Sequence, residues 1–133
     1  MNDLSLFILR FVAGVILAAH GAQKLFGVFG GQGMAGMVQM LGPVVGYLVA
    51  IGECFGGLGL VVGVLTRFSA ASNILIMLGA IAMVHGKNGF FLHNSGFEYN
   101  LALIGLLAPV ALCGPGNWAV GRFLPLLRAK LLE

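Results

Sequence analysis

The sequence predicts an all-α membrane protein: a four-transmembrane-helix bundle built as two hairpins, followed by a short amphipathic C-terminal tail. Two observations carry this expectation. Of 133 residues, 59% are hydrophobic and 8% are charged, whereas soluble domains carry about a quarter charged residues. Eleven Lys, Arg, Asp and Glu side chains cannot clothe a water-exposed surface, which excludes a cytosolic globular domain. The apolar residues also fall into long runs rather than the short alternating segments of a membrane β-barrel. At about 20 residues per crossing, the length has room for four helices in a single domain, residues 1–133.

The spans read as about 4–25, 44–64, 68–84 and 97–112. The first is too long for a signal-peptide core and lacks a basic leader, so it is expected to stay in the mature protein. Gly27-Val28-Phe29-Gly30-Gly31-Gln32-Gly33 and the stretch 86–96 have the Gly and Asn content of loops. The Leu65-Thr66-Arg67 connection is so short that the second and third helices must be antiparallel neighbours. Gly42, Gly46, Gly52, Gly56, Gly59 and Gly63 supply small-xxx-small pairs for close packing. After Gly114-Pro115-Gly116 comes the tail, 117–133. There Asn117 could cap a short helix, and Trp118, Phe123, Leu124, Leu127 and Leu131 oppose Arg122, Arg128 and Lys130 as in a segment lying on a membrane surface. Arg67, Arg122, Arg128 and Lys130 outnumber Lys24 and Lys87 at the other face, which places both termini in the cytosol. His20-Gly21 with Lys24 and His85-Gly86-Lys87 hint at a parallel repeat. The basic residues form no stripe for nucleic acid, so no such partner is expected.

Ionisable side chains in hydrocarbon cost about 2.5 to 3.5 kcal/mol each to insert and are therefore site candidates. They are Arg10, His20, Lys24, Glu53, His85 and Glu98. At about 1.5 Å per residue, His20, Lys24, His85 and Glu98 fall in one outer layer with Glu53 beneath it near the midplane. Helical side chains lean toward their own N-terminus, so Glu53 leans toward that layer. Arg10 leans toward the cytosol, where it is expected to snorkel to the headgroups, with an ion pair to Glu53 as the alternative. Asn73, with Ser69 and Ser72, reads as interhelical hydrogen bonding. Cys54 and Cys113 differ in depth, so a dithiol centre is not expected, and no metal site is expected either.

The spelling of several segments resembles the DoxX family of small membrane proteins over almost the whole chain. The segments are Arg10; His20-Gly21-Ala22-Gln23-Lys24-Leu25-Phe26-Gly27 with Phe29-Gly30-Gly31; Glu53 with Gly56-Gly57; Gly63 through Arg67; His85-Gly86-Lys87-Asn88-Gly89-Phe90-Phe91; Gly96-Phe97-Glu98-Tyr99; and Gly114-Pro115-Gly116. The family pattern usually has an Asp shortly after the last motif, where this chain reads Trp118-Ala119-Val120-Gly121. The resemblance implies a four-helix protein of the bacterial inner membrane. It also implies a link to redox systems, since the family name derives from subunits of a thiosulfate:quinone oxidoreductase and other members are tied to thiol-stress complexes.

Three functional classes are compatible with these residues. The leading one is a membrane subunit of a redox system that holds a quinone-like molecule: His20 and His85 exchange protons, Glu53 is the relay floor, and Lys24 with Glu98 and Arg10 bind the ligand's polar groups. The second is a small-solute or proton transporter, for which a homo-oligomer would complete the pathway. The third is a scaffold that recruits a soluble redox enzyme through the tail. The lipid bilayer is the partner common to all three.

Overall fold

The computed structural model describes residues 1–124. Five α-helices make up most of it: α1 (Asp3–Phe26), α2 (Gly33–Leu41), α3 (Pro43–Val62), α4 (Thr66–Ala80) and α5 (Glu98–Cys113). A π-helical turn, Ile81–His85, and a 3₁₀ turn, Gly86–Asn88, prolong α4. The segments Asp3–Phe26, Pro43–Val62 and Thr66–Asn88 are long and apolar enough to cross a bilayer, while Glu98–Cys113 is apolar but shorter. The α5 helix, with 16 residues, reaches about 24 Å. Large apolar side chains such as Val15, Leu48, Phe55, Leu75 and Leu101 point outward, as a lipid-facing surface requires. The protein is therefore a multi-pass helical membrane protein.

Helices occupy the four segments expected to span, with shifted ends, several of them for a local reason. Asn2 caps α1 by accepting from the Ser5 amide at 2.8 Å. The second span begins on Pro43, whose fixed φ suits a first helical turn, and stops at Gly63, which takes a left-handed φ of +79°. The loop after α1 falls where expected, at 27–32, and α2 occupies the stretch between it and the second span. That nine-residue helix, framed by Gly33 and Gly42, lacks the length that makes a helix legible in an apolar sequence.

The long helices form a ring in the order α1, α3, α4, α5 and back to α1, with α2 laid against α1 and α3. Leu17, Leu60, Met77, Leu103, Leu107 and Val110 fill the centre. The tightest seam joins α1 to α3, antiparallel. A methyl group added at Gly21 would lie 2.1 Å from the Cys54 amide nitrogen, and one at Gly57 would lie 2.3 Å from that of Ala18. Only glycine permits backbones this close. Between α3 and α4, buried Asn73 donates to the Gly52 carbonyl at 3.2 Å, an interhelical bond, whereas Ser72 bonds within its own helix to the Phe68 carbonyl at 2.8 Å.

Arg10 departs from its expected place. It neither extends to the headgroups nor pairs with Glu53; it is 1% exposed and its guanidinium is spent on main-chain carbonyls. It donates to Leu60 at 2.8 Å and Val61 at 2.7 Å, in the last turn of α3, to Pro115 at 3.2 Å, and to Trp118. The last-turn carbonyls of a helix have no intrahelical donor and carry a partial negative charge, so a cation there answers both needs.

The beginning of the tail is correspondingly part of the bundle. The Asn117 amide and side chain donate to the Asp3 carboxylate at 2.8 and 2.6 Å, so Asn117 ties α1 rather than capping a helix. The Gly121 amide donates to the Gly63 carbonyl at 3.0 Å, and Val120–Phe123 is a 3₁₀ turn. Residues 125–133, which hold the remainder of the expected amphipathic segment, lie outside the described residues. Removing everything from Trp118 onward would take from Arg10 one of its four carbonyl acceptors and from Gly63 the Gly121 amide.

Close approach at the seam sets a first expectation. Gly21→Ala should lower stability by about 2 kcal/mol, the cost of overpacking a filled interface. Gly105→Ala, at a position with open space around it, should be neutral. Thermal unfolding of both variants in detergent micelles distinguishes the two, and equal stabilities would refute a backbone-limited seam.

Candidate functional site

The α3-facing stripe of α1 runs Arg10, Gly14, Leu17, Gly21, Lys24, at alternating steps of four and three residues. Arg10 occupies one end of this seam and Lys24 the other. Because α1 and α3 are antiparallel, Lys24 arrives opposite Glu53, and its ammonium forms a salt bridge with the carboxylate. Glu53 is 2% exposed and Lys24 28%. Glu53 leans toward the N-terminus of α3, the end that Lys24 reaches, so both side chains extend toward each other.

Beside this pair is a cavity of about 590 Å³, within the range of small-molecule sites. Its walls are Met37 and Met40 of α2, Val45 and Val49 of α3, and Leu75, Ile76 and Gly79 of α4, with Met83 and Val84 beyond. Gln23, Lys24, Glu53, Gln32 and His85 supply its polar groups. Met40, Leu75 and Met83 are each more than half exposed, so α2 and α4 give the cavity an exposed apolar rim, whereas Glu53 is a buried part of its lining. His85 ends the π-turn, a distortion that recurs at functional sites. Its Nδ1 lies 2.8 Å from the Ser95 carbonyl, which also accepts from Asn88 at 3.1 Å, and Ser95 holds a φ of +59°, costly for a residue with a side chain.

Of the candidates drawn from the sequence, Lys24, Glu53 and His85 thus line one cavity. His20, Glu98 and Arg10 are outside its lining. His20 precedes Gly21 and so is turned about 100° away from the α3 seam; it is exposed, with its ring 5.4 Å from that of Tyr99 on α5. The Glu98 carboxylate accepts from the Leu92 amide at 2.6 Å and braces the loop before α5. Equal depth placed these groups in one layer, but depth does not fix which way each side chain points around its helix. The two halves of the repeat also diverge: His20 meets an aromatic ring, whereas His85 meets a carbonyl and the cavity.

Sequence reasoning overlooked two features. The cavity wall formed by α2 was hidden in what reads as loop. Tyr99 passed as part of a motif, yet its hydroxyl is buried and has no hydrogen-bond partner among the described residues. A phenol one residue inside an apolar helix was the available signal, since a buried Tyr hydroxyl normally finds a partner.

The family model of DoxX matches residues 5–86, more than half of the chain and all the residues that line the cavity. The chain belongs to the DoxX family. This DoxX protein is 31% identical over 106 residues to a protein of Bacillus subtilis (strain 168) named "Putative oxidoreductase CatD", an alignment that covers 76% of this chain and 74% of that relative. No solved structure matches it. The Gly114-Pro115-Gly116 motif and Tyr99 fall outside the segment matched by the DoxX model.

The asymmetric burial of the ion pair has a measurable consequence. Lys24→Met strands the buried Glu53 carboxylate and should cost about 3 kcal/mol, near the lower end for a broken buried pair because the lysine is 28% exposed. Glu53→Gln leaves a lysine that can turn toward solvent and should cost less. The double variant should regain part of the Lys24→Met loss in thermal unfolding; strictly additive losses would show that the two groups do not interact.

Proposed function

We propose that this DoxX protein is the membrane subunit of a redox system and that its cavity holds a quinone-type amphiphile. The observation that carries this reading is the construction of the cavity: apolar walls with an exposed methionine and leucine rim, and an ion pair and a histidine in the same lining. A water-soluble ligand would gain little from such walls. A molecule with an isoprenoid tail and a polar ring would keep its tail in the bilayer and present its ring to Lys24 and Glu53. The oxidoreductase name of the Bacillus relative supports the same class.

A quinone in this site would supply two-electron chemistry coupled to proton uptake. The chain's own contribution is to hold and supply protons. Lys24 can donate a hydrogen bond to a ring carbonyl, and its partner Glu53 can exchange a proton. His85 suits the same role, because an imidazole can both donate and accept a proton and its Nδ1 is oriented by the Ser95 carbonyl. Gln23 and Gln32 are further hydrogen-bonding groups along the polar side. The apolar walls keep bulk water from the ring. His20, Glu98 and Arg10, outside the cavity lining, act on this site only indirectly: Arg10 sets the register that brings Lys24 to Glu53, and Glu98 braces the loop that positions His85. A soluble electron donor docking on the membrane face completes the system. Its DoxX relationship suggests the bacterial inner membrane, and the Lys and Arg distribution favours both termini in the cytosol.

Gly79 offers a clean test, because a side chain added there meets nothing within 4 Å and it lines the cavity. Gly79→Leu should fill the site without disturbing the fold. In nanodiscs the wild type should bind decylubiquinone, and the variant should bind it at least about tenfold more weakly, equivalent to about 1.4 kcal/mol, at unchanged thermal stability. Absence of binding by the wild type, or equal binding by the variant, would overturn the proposal.

A further inference from the structure

The contact between His85 and Ser95 fixes which nitrogen of the ring carries the proton. The His85 Nδ1 lies 2.8 Å from the Ser95 carbonyl, and a carbonyl oxygen can only accept, so Nδ1 is the donor. In the neutral imidazole the other nitrogen, Nε2, is then a bare acceptor. The Ser95 carbonyl belongs to a turn with a φ of +59° and also accepts from the Asn88 side chain at 3.1 Å. Main-chain geometry thus sets the tautomer.

No hydrogen bond reaches His85 Nε2 among the described residues, yet this atom is not one of the sealed polar atoms left without a partner. It meets open space. His85 lines the cavity whereas Ser95 does not, so the Nδ1 edge is turned to the loop before α5 and the Nε2 edge remains for a ligand. Nothing in the lining calls for a second cation on this ring, because the carboxylate there, Glu53, is already paired with Lys24.

Two further lining groups follow the same pattern. Gln23 donates from Nε2 to the Phe29 carbonyl at 3.1 Å, which leaves Oε1 as the free end of its amide. Glu53 gives Oε2 to Lys24, and its Oε1 accepts no hydrogen bond among the described residues. Open acceptors therefore come from α1, α3 and the end of α4, while the remaining N–H groups of Lys24 and the Gln32 amide can donate. A quinone presents carbonyl oxygens, which only accept, so against His85 Nε2 it sets lone pair to lone pair. A quinol presents hydroxyls, each able to donate to such an acceptor and to accept from Lys24 or Gln32.

We propose that the cavity selects the reduced form of its ligand, a quinol whose ring hydroxyl donates to His85 Nε2, over the corresponding quinone. This rests on the quinone reading above and names the redox form that the site takes. His85 determines the specificity, and the Ser95 carbonyl positions it by keeping the ring proton on Nδ1.

The test compares the two redox forms in one membrane. In nanodiscs under argon, the wild type should bind decylubiquinol at least about tenfold more tightly than decylubiquinone, the order expected for one hydrogen bond set against opposed lone pairs. His85→Asn places an amide where Nδ1 stands, which keeps a donor for the Ser95 carbonyl and removes the Nε2 acceptor. It should bind both forms equally at unchanged thermal stability. Nitrogen NMR of histidine-labelled protein, with the other two histidines replaced as His20→Gln and His93→Gln, reads the ring without altering it. The proton should sit on Nδ1, and the Nε2 signal should move on addition of quinol and stay in place on addition of quinone. Quinone bound as tightly as quinol, a preference that survives in His85→Asn, or a ring proton on Nε2 would overturn the selectivity and leave the redox reading standing. Absence of binding by both forms would overturn the redox reading itself, and the selectivity with it.

Discussion

The close antiparallel contact of α1 and α3 is the constraint on which the rest of this bundle depends. Without bulky side chains at Gly14, Gly21 and Gly57 the two backbones come into contact, and each end of the seam is then closed by a cation from α1. Arg10 takes up the last-turn carbonyls of α3, and Lys24 takes up Glu53. In hydrocarbon each of these charges would be costly alone. Each finds an acceptor only because the glycines set the distance and the antiparallel direction sets the register.

Both ends of the seam organise further structure. At the Arg10 end, the carbonyls of Pro115 and Trp118 join those of Leu60 and Val61 around one guanidinium, and Asp3 holds Asn117. The chain beyond α5 is fastened to the start of α1 and to the end of α3, which explains why a Gly-Pro-Gly turn is useful there: it reverses the chain directly over the buried arginine. At the Lys24 end, the Gly-rich loop and α2 fold back along α1 and α3, and α4 stands across from α2 with the cavity between them. The π-turn at the end of α4 brings His85 to that cavity.

A cavity walled by methionine and aliphatic side chains, with an exposed apolar rim and a buried ion pair in its lining, suits a molecule that is part apolar and part polar. An apolar molecule can enter from the bilayer without crossing a polar barrier. Glu53 belongs to the cavity lining, so its pairing with Lys24 is central to any chemistry performed here. The family match spans the cavity but stops before α5, so the binding side is the part shared most visibly with DoxX proteins.

By itself the sequence determined the solvent and the class of the fold. Scarce charge and long apolar runs admit little besides membrane helices, and the helix ends at Pro43 and Gly63 are written in residue chemistry. It also picked out Arg10, His20, Lys24, Glu53, His85 and Glu98, because ionisable groups are conspicuous where so few occur. Only the tertiary structure decided which of them meet. Depth along a helix can be counted from residue numbers, whereas azimuth and register depend on which faces pack, and the packing faces here are chosen by glycine contacts between segments far apart in sequence. That is why Arg10 turned from an expected headgroup anchor into a buried clasp, why His20 faces Tyr99 rather than the cavity, and why α2, too short to announce itself, supplies a wall of the site.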